Sequence, residues 1–213
     1  MALKPRYIWQ HARWPELDFD LATAGPALLR ARERQGQVRG MARAIGLPDM
    51  QEVAQELWTR EAISTAAIEG QQLELAAVRS SVLRRLGQSD AGPTVRHVEG
   101  LVEVMQDATE GFAQRLTAEC LCRWQSALFP GGTAGIRRMA VGRYRDHEDP
   151  MQIVSGLLGK EVVHYTAPTS SGVAREMKAF LGWFEATRPQ ASSAINGIAR
   201  AAIAHLRFET IHP

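Results

Sequence analysis

The chain has 213 residues, 45% of them hydrophobic and 23% charged, with a formal net charge of +2. That length can bury a sizeable core in one large domain or two small ones, and so even a charge balance argues neither for nor against nucleic acid. No apolar run approaches the ~18 residues that a membrane span needs.

Cys120 and Cys122 are the only cysteines. Two positions apart on a helix they point to different faces, which suits neither a mutual disulfide nor, without a second cluster, a zinc site. Free thiols behind no signal peptide fit the reducing cytoplasm. The basic residues are almost all arginine, Lys4, Lys160 and Lys178 being the exceptions. Codon bias accounts for that more simply than phosphate recognition.

In chain order, residues 1–15 read as an extended arm whose Tyr7, Trp9 and Trp14 pack back on the domain. Residues 17–45 are rich in alanine and arginine and helical. The arginines of residues 30–43 could serve nucleic acid, but their alternating charge favours a solvated helix. Gly46-Leu47-Pro48 stops that helix. Asp49 with Glu52 resembles a capping box and opens a helix with Val53, Leu57, Ser64 and Ile68 on one face, widened by Ala54 and Trp58. Gly70 is its expected C-cap, which puts Glu69 at the end of the helix dipole that disfavours a carboxylate.

Residues 73–86 form a further helix ended by Gly87, and 88–92 a polar loop. Residues 93–112 are helical around Val95, Val98, Leu101, Val102 and Met105. Thr117 caps a helix through Leu128, with Trp124 and Phe129 assigned to the core. The glycine-rich region that follows holds two β-prone runs, 151–154 and 161–165, which predict a hairpin. Ser171 caps a helix carrying Val173, Met177, Phe180, Leu181 and Phe184, and Arg188-Pro189 ends it. In the last helix Ile195, Ile198, Ala199, Ala202, Ile203 and Leu206 form the expected buried stripe. His212 emerges at its end, before Pro213. His205, Glu209 and His212 could share a face and hold a metal, but a satisfied histidine is the commoner outcome.

Four segments resemble one family. Residues 205–213, His-Leu-Arg-Phe-Glu-Thr-Ile-His-Pro, look like the opening of the Fic (filamentation induced by cAMP) signature, whose Gly-Asn-Gly-Arg loop would follow Pro213. Thr65-x-x-x-Glu69-Gly70 matches the Fic inhibitory motif. Gly142-Arg143-Tyr144-Arg145 and His164-Tyr165-Thr166-Ala167-Pro168 resemble the segments around the Fic flap. The stretch from Tyr7-Ile8-Trp9-Gln10 to Ser80-Ser81-Val82-Leu83-Arg84-Arg85-Leu86-Gly87 is similar to the N-terminal region of many bacterial Fic proteins.

The resemblance implies an all-α, Fic-type helical bundle with a small β-hairpin flap. Residues 1–92 would form a helical region carrying the inhibitory helix. Residues 93–213 would form a Fic core, with its flap at about 142–168 and its C-terminal part incomplete. It also implies a protein adenylyltransferase that uses ATP and Mg²⁺ to place AMP on a Ser, Thr or Tyr hydroxyl of a target protein. His212 would be the catalytic base, Thr65, Glu69 and Gly70 the autoinhibitory motif, and Val162, Val163, His164 and Tyr165 the flap strand that holds the target. The resemblance assigns no metal ligand for this reaction within residues 1–213. Removal of AMP, or a non-catalytic interaction module, are the alternatives, and a homodimer is a candidate assembly.

Overall fold

The computed structural model describes all residues except 1–4, 18, 46, 89–91, 135–136, 158, 190, 192–194 and 213. It is mostly helical, with two small antiparallel hairpins. Among the described residues no helix is long and apolar enough to cross a membrane. The chain forms two compact units. One comprises Met1–Ala31, Leu116–Ala118 and Arg143–Pro213, the other Arg32–Arg115 and Glu119–Gly142. The expected boundary at 92/93 therefore falls inside the second unit.

Helix α1 (Leu21–Ala44) runs through the sequence of both units and has no buried residue, as a helix without an apolar stripe should. In the second unit, α2 (Leu47–Ile68) begins two residues before Asp49. The expected capping box is thus inside the helix rather than at its start. Pro48 stands in the first turn, where no intrahelical N–H bond is lost. Gly46 lies outside the described residues, as does most of the loop expected at 88–92.

The face of α2 that packs inward is not the expected one. Val53, Leu57 and Ile68 are exposed, Ile68 at 84%, whereas Thr59, Ala62 and Ala66 are buried. Ala62 joins Ala77, Val78 and Val82 of α3 (Leu75–Arg85) and Val98 and Val102 of α4 (Arg96–Glu110) in one core. Ala62 meets them as a small side chain, Trp58 and Ile63 of α2 pack against the same core half-buried, and Val53, Leu57 and Ile68 are left outside it. Closeness is extreme where α4 meets α5 (Ala118–Leu128): a Cβ on Gly100 would stand 1.8 Å from the Ala127 carbonyl oxygen. Trp124 and Phe129 are half-buried rather than core residues, and the Trp124 indole donates to Asp107 at 2.6 Å. A hairpin of β1 (Thr133–Ala134) and β2 (Arg137–Arg138) follows, which the sequence pattern does not separate from its glycine-rich surroundings.

In the first unit, β3 (Gln152–Ser155) and β4 (Val162–Thr166) pair antiparallel, Gln152 opposite Thr166 and Ser155 opposite Val162, with a bulge after Ile153. A lone two-stranded hairpin is marginal in water, and here the N-terminal arm braces it. The arm is a short 3-10 turn, Ile8–Gln10, rather than an extended strand. Trp9 Nε1 donates to Thr166 O at 2.7 Å, Arg6 Nη2 to Val163 O at 3.3 Å, and the Tyr7 ring meets Tyr165 edge-on at 5.2 Å.

Helix α6 (Ser170–Ala186) takes Thr169 as N-cap, so Ser171 is already inside it. It buries Val173, Met177 and Phe180. Helix α7 (Gly197–Ile211) is capped by Asn196, whose side chain accepts the Ile198 N–H at 3.0 Å. Its buried face is Ala199, Arg207, Thr210 and Ile211, while Ala202 and Leu206 are exposed. Arg207 takes the inward place because the rings of α6 cover it, its guanidinium lying 4.7 Å from the Trp183 centroid and 5.9 Å from Phe180. A weakly hydrated planar cation is suited to such stacking.

Candidate active site

The candidate base, His212, stands at the C-terminal end of α7. The last carbonyls of a helix have no partner within it. At this end, outside side chains supply two. Tyr165 Oη donates to Thr210 O at 2.6 Å and Arg145 Nη1 to Ile211 O at 2.8 Å. Arg145 Nη2 donates to Pro168 O at 2.6 Å, so one guanidinium ties α7 to the chain leaving β4. A cation at this end also complements the helix dipole. His212 is the C-cap, its N–H donating to Phe208 O at 2.8 Å.

The His212 imidazole is half-buried. Burial holds its pKa below the ordinary value near 6.5, and the charges of Arg145 and His147 act in the same direction. Its neutral form, the form able to accept a proton, is therefore favoured. Burial also pushes the Tyr165 hydroxyl up to about 12, which keeps it a donor at neutral pH. Arg145 is 5% exposed and burial lowers its pKa, yet an arginine remains a cation.

The four flap residues divide by strand alternation. Val162 and His164 are exposed, whereas Val163 and Tyr165 are half-buried. His164 Nε2 lies 2.6 Å from Ser155 Oγ, and Tyr165 is committed to Tyr7 and Thr210. Ile153 and Val154 of β3 are exposed as well. His205 and Glu209 are exposed, and among the described residues no three His, Cys, Asp or Glu side chains gather as a metal site.

Thr65, Glu69 and Gly70 lie in the second unit, at the end of α2. Gly70 adopts φ +71°, its N–H donates to Ala67 O at 3.0 Å, and the Gln71 N–H reaches Ala66 O at 2.8 Å. This doubly bonded glycine stop is a Schellman motif. Thr65 and Glu69 are exposed, and Glu69 makes no hydrogen bond or ion pair with the described residues. Neither Cys120 nor Cys122 forms a disulfide, and burial raises both thiols above their ordinary pKa, which disfavours the nucleophilic thiolate.

A solved Fic family protein from Desulfovibrio desulfuricans G20 superposes with a TM-score of 0.55 at 23% identity, over 93% of this chain and 54% of that one. The fold is Fic-like. The chain spans about half the length of that Fic protein, and an identity this low carries the fold alone. The family model described as Domain of unknown function (DUF4172) matches residues 7–88, from the arm through α3. No curated protein matches.

Within this Fic-like fold, Tyr7 and Trp9 pack back as their aromatic clustering suggests, with the β3–β4 hairpin as the partner the sequence does not name. Arg145 is the structural partner of α7 that the sequence does not reveal. For Arg145 no local pattern announces burial.

Proposed function

We propose that the protein is a Fic-type adenylyltransferase that moves AMP from ATP to a Ser, Thr or Tyr hydroxyl of a target protein. The observation that carries this reading is His212: a neutral-favouring imidazole at the fixed end of α7, within the His-to-Pro sequence of residues 205–213. In the reaction the target hydroxyl oxygen bonds to the α-phosphorus, the bond from that phosphorus to the β-bridging oxygen breaks, and pyrophosphate leaves. His212 accepts the hydroxyl proton. A placed general base contributes typically 10²–10⁴-fold. The target segment would pair with an outer edge of the β3–β4 hairpin, by strand addition.

ATP is the donor and Mg²⁺ would supply charge stabilisation at the phosphates. In the Fic signature their ligands follow the His-Pro pair, so no residue of 1–213 is assigned to either. Glu69 restrains the reaction in this reading. A carboxylate at the unfavourable end of a helix dipole, without a partner among the described residues, is available to a cation.

The experiment is incorporation of label from α-³²P-ATP into protein by the full-length polypeptide, its Glu69→Gly variant and its His212→Ala variant. Label should appear, increase in Glu69→Gly and fall by at least a hundredfold in His212→Ala. Failure of both wild type and Glu69→Gly to incorporate label, or full activity without the imidazole, would refute the transferase reading. Equal rates for wild type and Glu69→Gly would remove only the regulatory role.

A further inference from the structure

The contacts that end α7 do more than cap it. Arg145 is buried, bridges Ile211 O and Pro168 O, and among the described residues pairs with no carboxylate, its Nε being left without an acceptor. A buried cation without an anion is a poor way to gain stability, because a neutral side chain of similar volume avoids the desolvation cost. Tyr165 completes the arrangement from β4, one residue upstream in its carbonyl partner, at Thr210 O. Two donors from outside the helix thus grip two successive carbonyls, immediately before His212.

We propose that Arg145 and Tyr165 are positioning residues for His212, a two-point clamp that fixes the backbone from which the imidazole projects and ties it to the hairpin. The inference rests on the reading of His212 as the base. Restraining the last two carbonyls of α7 removes the fraying that helix ends ordinarily undergo. A base must stand within hydrogen-bond reach of the proton it takes, and a displacement near 1 Å can cost up to about a hundredfold in rate. Arg145 has a second effect through charge. It and His147, both in the segment before β3, are the charged groups acting on the imidazole, with the neutral Tyr165 beside them on β4. The clamp therefore holds the base in place, and the Arg145 charge adds to burial in lowering its pKa.

The two effects separate by substitution in the full-length protein. Tyr165→Phe keeps the ring against Tyr7 and removes only the hydroxyl, Arg145→Lys keeps a charge but cannot span both carbonyls, and Arg145→Gln removes the charge. Histidine ring NMR, with the His212 resonance assigned from its absence in His212→Asn, should show the pKa moving up in Arg145→Gln and staying near wild type in Tyr165→Phe. Steady-state AMP transfer should show kcat reduced about tenfold in Tyr165→Phe and Arg145→Lys with KM for ATP unchanged. An unshifted His212 titration in Arg145→Gln overturns the electrostatic half. Wild-type kcat in both Tyr165→Phe and Arg145→Lys overturns the positional half. If Arg145→Gln fails to fold, Arg145→Lys and Tyr165→Phe decide. If the wild type transfers no AMP, the transferase reading fails, while the titration still decides whether Arg145 acts on His212.

Discussion

Helices α7 and α2 end on the same pattern, an isoleucine followed by an ionisable residue, and differ in everything that surrounds it. Ile211, the last residue of α7, is 0% exposed, and Ile68, the last of α2, is 84% exposed. The carbonyls before His212 are taken by Tyr165 and Arg145, from 45 and 66 residues away in the chain. Those before Glu69 are taken by the amides of Gly70 and Gln71, from the same turn. The difference suits the two roles proposed for these residues. A base would be aimed by a helix end that is buried and gripped from outside, and a restraining carboxylate needs only a helix that stops and leaves its side chain exposed.

Truncating the matched isoleucines puts the largest effect on this difference. Ile211→Ala should lower stability by about 2–5 kcal/mol, the usual range for emptying a buried aliphatic site. Ile68→Ala should stay within about 0.5 kcal/mol, as for an exposed position. Urea unfolding read by tryptophan emission checks both, in variants that keep only Trp183 for the first and only Trp58 for the second, since each tryptophan stands in the unit of its isoleucine. Equal losses would mean that the two ends are not distinct in the way described. A smaller effect is expected at the stop of α2. Gly70→Ala places a Cβ at φ +71°, which costs roughly 1–2 kcal/mol. The Gln71 amide, bonded to Ala66 O, should then exchange faster with solvent. Unchanged exchange would show that the turn holds without its glycine.

Much of the helical order and the β3–β4 hairpin follows from periodicity and from the glycines that punctuate it, because those signals are local. The faces of the helices are less legible. Periodicity selects Val53, Leu57 and Ile68 of α2, which are exposed, but the contact with α3 and α4 runs through Ala62, with Trp58 and Ile63 packed against it. On α7 periodicity likewise selects Leu206 over Arg207. The guanidinium is buried because Trp183 and Phe180 happen to cover it, and an arginine alone in a sequence gives no hint of that. The interest in His212 and in Glu69 comes from the Fic resemblance. The clamp on α7 does not, for it consists of side chains bonding to carbonyls far along the chain, an arrangement with no spacing to read.

The smallest expected effect tests whether His212 is desolvated as the geometry implies. Its folded pKa lies below the ordinary value near 6.5. On acidification the unfolded chain therefore takes up a proton at this position before the folded chain does. Wherever the unfolded state binds more protons, stability rises with pH. The contribution of His212 is thus fully present above pH ~6.5 and is lost as pH falls from there through the folded value. Below both values it changes no further. His212→Asn keeps the backbone N–H that bonds to Phe208 O and removes the titration. Stabilities of wild type and His212→Asn, measured by urea unfolding at half-unit steps from pH 8 to 4.5, should run parallel at the alkaline end. Below about 6.5 the wild type should decline more steeply than the variant. Curves that stay parallel throughout would mean that His212 titrates alike in both states, and the imidazole would then be solvated rather than held in a partly buried site.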